Sequence, residues 1–154
     1  MLIIINYLRR SLGIVLIHGV LIGSVTGCSR DGPQLATVTG TITIGEQPLK
    51  YATVTFIPQG EAGAGPSSGV TDEKGKYKLG YSRDRAGAFV GRHDVTIRGL
   101  EVPDKATRDA LHESGIDPAL LPKVPRKYLD PGAISAEVKP HKNTIDFQLD
   151  PQSR

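Results

Sequence analysis

Short runs of alternating apolar and polar residues dominate the chain. In 37–44, Val38, Ile42 and Ile44 share one parity and threonines fill the other. Period two puts the first set on one sheet face, so a half-buried strand is predicted. Gly40 interrupts the apolar set on that same face, which predicts a bulge or a close backbone approach. Residues 45–49, with Gly45 and Pro48, read as a turn. A second strand is predicted over 52–58, with Ala52, Val54 and Phe56 inward.

The segment 69–79 predicts a tight hairpin. Val70 precedes the turn, and Tyr77 and Leu79 follow it, alternating with Lys76 and Lys78. Asp72 can accept backbone N–H groups that close the turn, and Gly75 can take the positive φ of a three-residue loop. Beyond it, 92–98 reads as a strand with His93, Val95 and Ile97 on one face. His93 is read there as a half-buried strand residue. Two last strands are predicted at 134–139 and 144–149, with Ile145, Phe147 and Leu149 inward.

The intervening stretches lack this pattern. Gly, Ala, Ser and Pro make 59–68 a surface loop, and 81–91 is a second loop with Arg83, Asp84 and Arg85 at its tip. Within 102–130, Asp104 can cap a helix running to about Ser114, with Ala106, Ala110 and Leu111 as its apolar side. Gly115 suits the C′ position and Ile116 the hydrophobic contact that goes with it. Prolines at 118, 122 and 125 forbid a long helix after that. The whole piece is expected to pack over one end of a β-sandwich.

The first residues differ in kind. Arg9 and Arg10 precede an apolar run over 12–22, which is too short for a comfortable membrane span and reads as an export signal. Val25-Thr26-Gly27-Cys28 follows directly and resembles the bacterial lipobox. The resemblance implies cleavage before Cys28, diacylation of its thiol and acylation of the new N-terminus. Two or three chains hold a protein firmly, where one gives marginal binding. Ser29 in place of Asp puts no block on outward sorting. Three regions are expected: a signal over 1–27, a lipidated tether over 28–36 and a β domain over 37–150. The expected location is the cell membrane or outer membrane, facing the periplasm or the exterior.

Composition agrees with this division. The chain has 154 residues, 18 glycines, 11 prolines and no tryptophan, which favours an all-β domain. Its formal net charge is +3. Removal of Arg9 and Arg10 with the signal leaves +1, and no basic stripe interleaved with aromatics is present, so nucleic acid is not an expected partner. Cys28 is the one cysteine, which rules out an internal disulfide.

The order of motifs carries a second resemblance. It runs Val38-x-Gly40, Gly45 to Leu49, Ala52-x-Val54-x-Phe56, then Gly69-x-Thr71-Asp72-x-x-Gly75-x-Tyr77. Later come Gly91-x-x-x-Val95-x-Ile97, Pro125-x-Lys127-Tyr128 and Asp146-Phe147-x-Leu149. This is similar to the transthyretin-like, carboxypeptidase-regulatory-like domains, and most of all to the small lipobox-bearing versions of planctomycete-type bacteria. Val90-Gly91-Arg92-His93 departs from that family's usual Pro-Gly-Lys-Tyr. The resemblance implies a seven-stranded Greek-key β-sandwich, here with a short helix inserted before the last two strands. Most of the family has no assigned activity.

A search for chemistry finds little. His93, His112 and His141 lack metal-ligand spacing, and Asp72-Glu73-Lys74-Gly75 lacks the alternating oxygen ligands of a calcium loop. No nucleophile-elbow or phosphate-loop motif occurs. The tail Asp150-Pro151-Gln152-Ser153-Arg154 differs from the Tyr-Arg-Gly-Ser end of the related transthyretin-like hydrolases. The ring-cleaving dioxygenases on similar sandwiches hold iron with paired Tyr and His, and that pairing is not matched. No catalytic residue, metal or cofactor is therefore expected. The expected role is a non-catalytic binding or scaffolding module, held to a membrane through Cys28 and contacting an envelope protein or glycan. Tyr81 and Phe89 are the aromatic candidates for a glycan. The alternative is a small hydrolase or metal-dependent enzyme, with His93 and Asp94, or Tyr128 and Arg126, as its parts.

Overall fold

The computed structural model describes residues 34–60 and 64–152. Cys28, expected to be lipidated, the expected signal 1–27 and residues 28–33 of the expected tether lie outside the described residues.

The described residues form ten strand segments and one α-helix. The strands are β1 Leu35–Ile44, β2 Gln47–Pro48, β3 Thr53–Pro58, β4 Ser67–Val70, β5 Lys76–Lys78, β6 Ala88–Phe89, β7 Gly91–Arg98, β8 Ile134–Val138, β9 Lys142–Thr144 and β10 Phe147–Leu149. The helix, α1, is Lys105–Glu113. One sheet is antiparallel in the order β4-β3-β7-β8. The other is built on β1. Along one edge β6, β5 and β2 pair with it antiparallel, in turn; along the other β9 and β10 pair with it parallel. Because β1 is long and its neighbours are short, ten segments are observed where seven strands were expected.

The two sheets enclose one apolar core. Val38, Ile42 and Ile44 of β1, Val54 and Phe56 of β3, Val95 and Ile97 of β7, Val138 and Leu149 are all buried. Each stabilises the fold by about 1.5–3 kcal/mol relative to exposure. Phe56 sits centrally, with the rings of Tyr77, His93 and Phe147 5.7–6.4 Å away. The period-two reading of β1, β3 and β7 therefore holds, and the core is mostly β with one short helix outside it.

Gly40 is a close-approach site. A Cβ there would overlap the carbonyl of Ile145, so β9 pairs with residues 37–39 of β1, β10 with 42–44, and neither pairs with Gly40. Asp146 bridges the interruption: its Oδ1 accepts the Thr41 N–H at 2.6 Å. The Tyr77 hydroxyl donates to the Ile145 carbonyl at 2.7 Å. Burial and the nearby Asp146 charge raise the Tyr77 pKa well above the ordinary phenol range, so this donor stays protonated.

The turn at 72–75 forms as predicted. Asp72 Oδ1 accepts from the N–H groups of Lys74 and Lys76 at 2.8 and 2.9 Å, and Gly75 has φ +74°. Its arms, however, do not make a ladder together. β4 pairs with β3 and β5 with β1, so the turn carries the chain from one sheet to the other. Val70 is accordingly 61% exposed and does not share the core face of Tyr77 and Leu79. The inward residues are Ser67 and Thr71, with Gly69 between them half-buried. A Cβ on Gly69 would lie 2.5 Å from the Lys78 carbonyl. The crossing strand leaves no space for a large side chain on that face, and the hydropathy pattern of β4 is inverted.

The hydrogen bonds to Asp72, chiefly that from Lys76, hold its carboxyl below the ordinary range. Asp104 is lowered likewise by the N–H of Thr107. A depressed folded-state value means stability that is present above the unfolded pKa of 3.8 and is lost as pH falls through the folded value. Asp72→Asn is expected to be less stable than wild type at neutral pH and to lose less on further acidification. Urea midpoints measured against pH check this, and parallel profiles for the two proteins would overturn it.

Two further expectations are corrected. The tether was expected to reach residue 36, but β1 starts at Leu35 because Ala88 and Phe89 supply a partner strand. That partner, β6, lies in what was read as a loop. The helix α1 has the predicted caps: Asp104 Oδ1 accepts from Thr107 at 2.7 Å, Gly115 has φ +76°, and Ile116 N–H donates to the Leu111 carbonyl at 2.9 Å. Its expected apolar side is nevertheless not packed down. Ala106 and Ala110 are exposed, Leu111 is half-buried, and no residue of α1 is buried.

Candidate functional site

The residues singled out in the sequence do not converge. His93 is 1% exposed in the core, with Nδ1 3.1 Å from the Gly91 carbonyl and its ring against Phe56. It is thus fully buried rather than half-buried. Asp94, the next strand residue, faces the other side of the sheet and accepts from Gln59 Nε2 at 2.6 Å. Tyr128 lies buried on a 3₁₀ turn, Arg126–Leu129, where its hydroxyl accepts the Asp150 N–H at 2.9 Å. Arg126 on the same turn is exposed. Each candidate pair of the enzyme reading is separated by the direction of its side chains. Tyr81 and Phe89 are not available to a sugar as a pair. Phe89 is buried, Tyr81 packs edge-on to it at 4.8 Å, and the Arg85 guanidinium lies 4.7 Å over the Tyr81 ring. His112 and His141 are exposed. Among the described residues no group of three or more His, Cys, Asp or Glu is placed to hold a metal ion.

The feature that does emerge is a divided apolar groove beside Tyr51. One hollow, about 550 Å³, lies between Pro48, Tyr51 and Glu73 on one side and Ile116, Leu120 and Leu121 on the other. A second, about 310 Å³, lies between Tyr51, Thr53 and Val70 and the residues Leu100, Leu111 and Ile116. Tyr51 and Ile116 belong to both. The groove exists because α1 and the proline-punctuated segment after it stand off from the sandwich. Two apolar residues along it are open to water: Val70 at 61% and Leu120 at 82%.

Tyr51 is held there by the backbone. Its N–H donates to the Thr71 carbonyl at 3.1 Å, and the next N–H, of Ala52, donates to the buried Thr71 hydroxyl at 2.8 Å. These bonds join the start of β3 to the turn after β4 and leave Tyr51 with φ 54°. A left-handed non-glycine residue stores on the order of 1–3 kcal/mol of strain, and such residues cluster at functional positions. The phenol donates to Glu73 Oε1 at 3.3 Å. Desolvation, then the Glu73 charge and this hydrogen bond, raise its pKa. Charged groups form the rim: Lys50, Glu73 and Asp117 around the larger hollow, and the Arg98–Glu101 pair at 3.1 Å around the smaller. An apolar floor inside a polar rim is the make-up of a protein contact.

The sequence expects the loop after β7 to pack over one end of the sandwich, and it marks neither Val70 nor Tyr51 as lining a groove there. Val70 was assigned to the core, and Tyr51 lay between elements. The available signal was Leu120-Leu121 between Pro118 and Pro122, two large apolar residues in a piece too short to bury them.

No family model matches the chain, and no curated protein matches it. Among solved structures it is similar to a DUF3823 family protein from Parabacteroides merdae, at 13% identity and a TM-score of 0.42. The match covers 76% of this chain and 46% of that one, so the chain spans less than half the length of that protein.

Proposed function

We propose that this chain is a lipid-anchored, extracytoplasmic module of the cell envelope, on a transthyretin-like Greek-key sandwich, that binds an apolar segment of another envelope protein and catalyses no reaction. The groove beside Tyr51 carries this reading. Its floor is aliphatic, its rim is charged, and Val70 and Leu120 stand open to water at a position where the backbone is strained rather than relaxed. A polypeptide is favoured over a glycan because sugars stack on exposed aromatic faces. Tyr81 and Phe89 pack on each other, and Tyr51 is the groove's one aromatic residue. The lipobox-like Val25 to Cys28 after an apolar run supports the anchor and the location.

A photo-crosslinking side chain in place of Leu120, in the full chain expressed in its cell, tests the reading. An adduct with an envelope protein is expected, and Val70→Asp or Ile116→Asp is expected to abolish it while leaving the fold intact. Tyr51→Gly relieves the φ strain, so it is expected to hold or raise stability, by up to about 1 kcal/mol, while weakening capture. An adduct that survives all three substitutions would remove the groove from the proposal.

A further inference from the structure

The geometry points to a second surface, at the opposite end of the sandwich from the groove: a basic face that lies on anionic phospholipid headgroups. This inference rests on the lipid anchor proposed above and extends it. The first described strand begins at Leu35, seven residues after Cys28. Seven residues reach at most about 25 Å, so the end of the domain where β1 starts is the end a membrane would meet.

The segments at that end are tied to β1 by hydrogen bonds. Val90 N–H donates to the Gln34 carbonyl at 2.8 Å, and Thr37 N–H to the His141 carbonyl at 3.0 Å. Thr37 pairs with Lys142, and Gly91 pairs with Val138. Residues 81–92 and 137–142, which these bonds gather, hold five Lys and Arg against two acids, Asp84 and Glu137. Glu137 stands across the ladder from Arg92. Lys139, His141 and Lys142 are exposed on one turn, and Arg83 and Arg85 are exposed on the loop before β6, which pairs with the opposite edge of β1. Both salt bridges among the described residues, Arg98–Glu101 and Lys105–Asp109, lie at the groove end. The cations by the tether thus have no ion-pair partner among the described residues.

The balance reverses at the groove end. Residues 45–50, 71–75 and 99–133 hold seven Lys and Arg against nine Asp and Glu. An anionic surface attracts one end and repels the other, within a Debye length of about 8–10 Å. The expected result is an oriented domain, cations down and groove facing away from lipid, where a partner can reach it.

The test uses the full lipidated chain in vesicles, either phosphatidylcholine alone or equal parts phosphatidylcholine and phosphatidylglycerol. One fluorescent probe is placed on Ser82→Cys, at the basic end, and in a second protein on Ala119→Cys, at the groove end. A quencher on the lipid headgroup reads proximity. Quenching at position 82 is expected with phosphatidylglycerol, and is expected to disappear in its absence or at high salt. Lys139→Gln with Lys142→Gln is expected to weaken the contact roughly twenty-five-fold, at roughly fivefold per cation. The probe at position 119 is expected to stay unquenched throughout. Equal quenching in both vesicles, or quenching that ignores salt and the double substitution, would overturn the inference. The anchor is read separately by mass, since an acylated Cys28 leaves one labelled thiol per chain and a free Cys28 leaves two. In a chain with two labels, salt-sensitive flotation on phosphatidylglycerol vesicles upholds the basic face without the anchor, and no flotation overturns it.

Discussion

Gly40→Ala is expected to lower the stability of the domain by about 3 kcal/mol or more. The cause is steric and lies in the backbone. Gly40 does not use a left-handed conformation, so an alanine meets no φ penalty there. Its Cβ would instead overlap the Ile145 carbonyl, with the Tyr77 ring 2.9 Å away. A flexible side chain could swing aside, but a carbonyl fixed by three neighbouring bonds cannot. Ile145 N–H donates to Thr39 at 2.8 Å, its carbonyl accepts from Tyr77 at 2.7 Å, and Asp146 accepts from Thr41 at 2.6 Å. Moving the carbonyl breaks the register of β9 and β10 against β1 together. The melting temperature is expected to fall by roughly 10 °C or more. Gly99→Ala supplies the comparison. Its nearest contact is Val124 Cγ2 at 3.5 Å, an ordinary packing distance, and a change within about 0.5 kcal/mol is expected. If urea denaturation gives the two variants equal stability, the close-approach account of Gly40 is wrong.

The same glycine measures how far the sequence could be read. Gly40 stood out because it broke an alternation that Val38, Ile42 and Ile44 otherwise kept. A local rule sufficed, since a strand whose two faces differ must place its residues by parity. Asp72 and Gly75 were legible for a similar reason: a tight turn demands an acceptor and a positive φ within four residues. Val70 failed because its environment is set from outside. Lys78 crosses behind β4 and excludes bulk from the inner face, and nothing in 67–71 announces a strand arriving from position 78. β6 failed because two residues are too few to show a period. His93 was placed on the correct face but credited with too much water, since burial depends on Phe56 and the opposing sheet. The groove was half legible. Apolar residues with nowhere to go could be seen in 117–125, while Tyr51 becomes part of the groove only through the bonds from Thr71 that fix its backbone.

Cys28→Ser is expected to abolish acylation and, with it, firm membrane attachment. Each buried methylene contributes about 0.8 kcal/mol, so one chain binds marginally and a second or third makes release negligible. The substitution removes every chain at once, because the thioether lipid and the amine created by cleavage both depend on the thiol. Simple fractionation would mislead, since an uncut variant keeps the apolar run 12–22 and can stay on the membrane through it. The N-terminal tryptic peptide is the decisive readout. For wild type, residues 28–30 carrying acyl chains are expected; for Cys28→Ser, peptides that include residues N-terminal to position 28 are expected. When the variant is instead exported behind an unrelated cleavable signal, with the substituted position 28 as its first residue, it is expected in the soluble fraction. The basic face does not change this outcome. Without an anchor, a few exposed cations hold a domain to anionic lipid only weakly and at low salt, so at physiological salt the released variant is expected to stay soluble. On the proposed anchor and basic face, orientation and attachment are separable: Cys28 is expected to set whether the domain is at the membrane, and Lys139 and Lys142 which way it faces. An unmodified wild-type peptide spanning residue 28 would end the anchor reading and leave the groove to be tested alone.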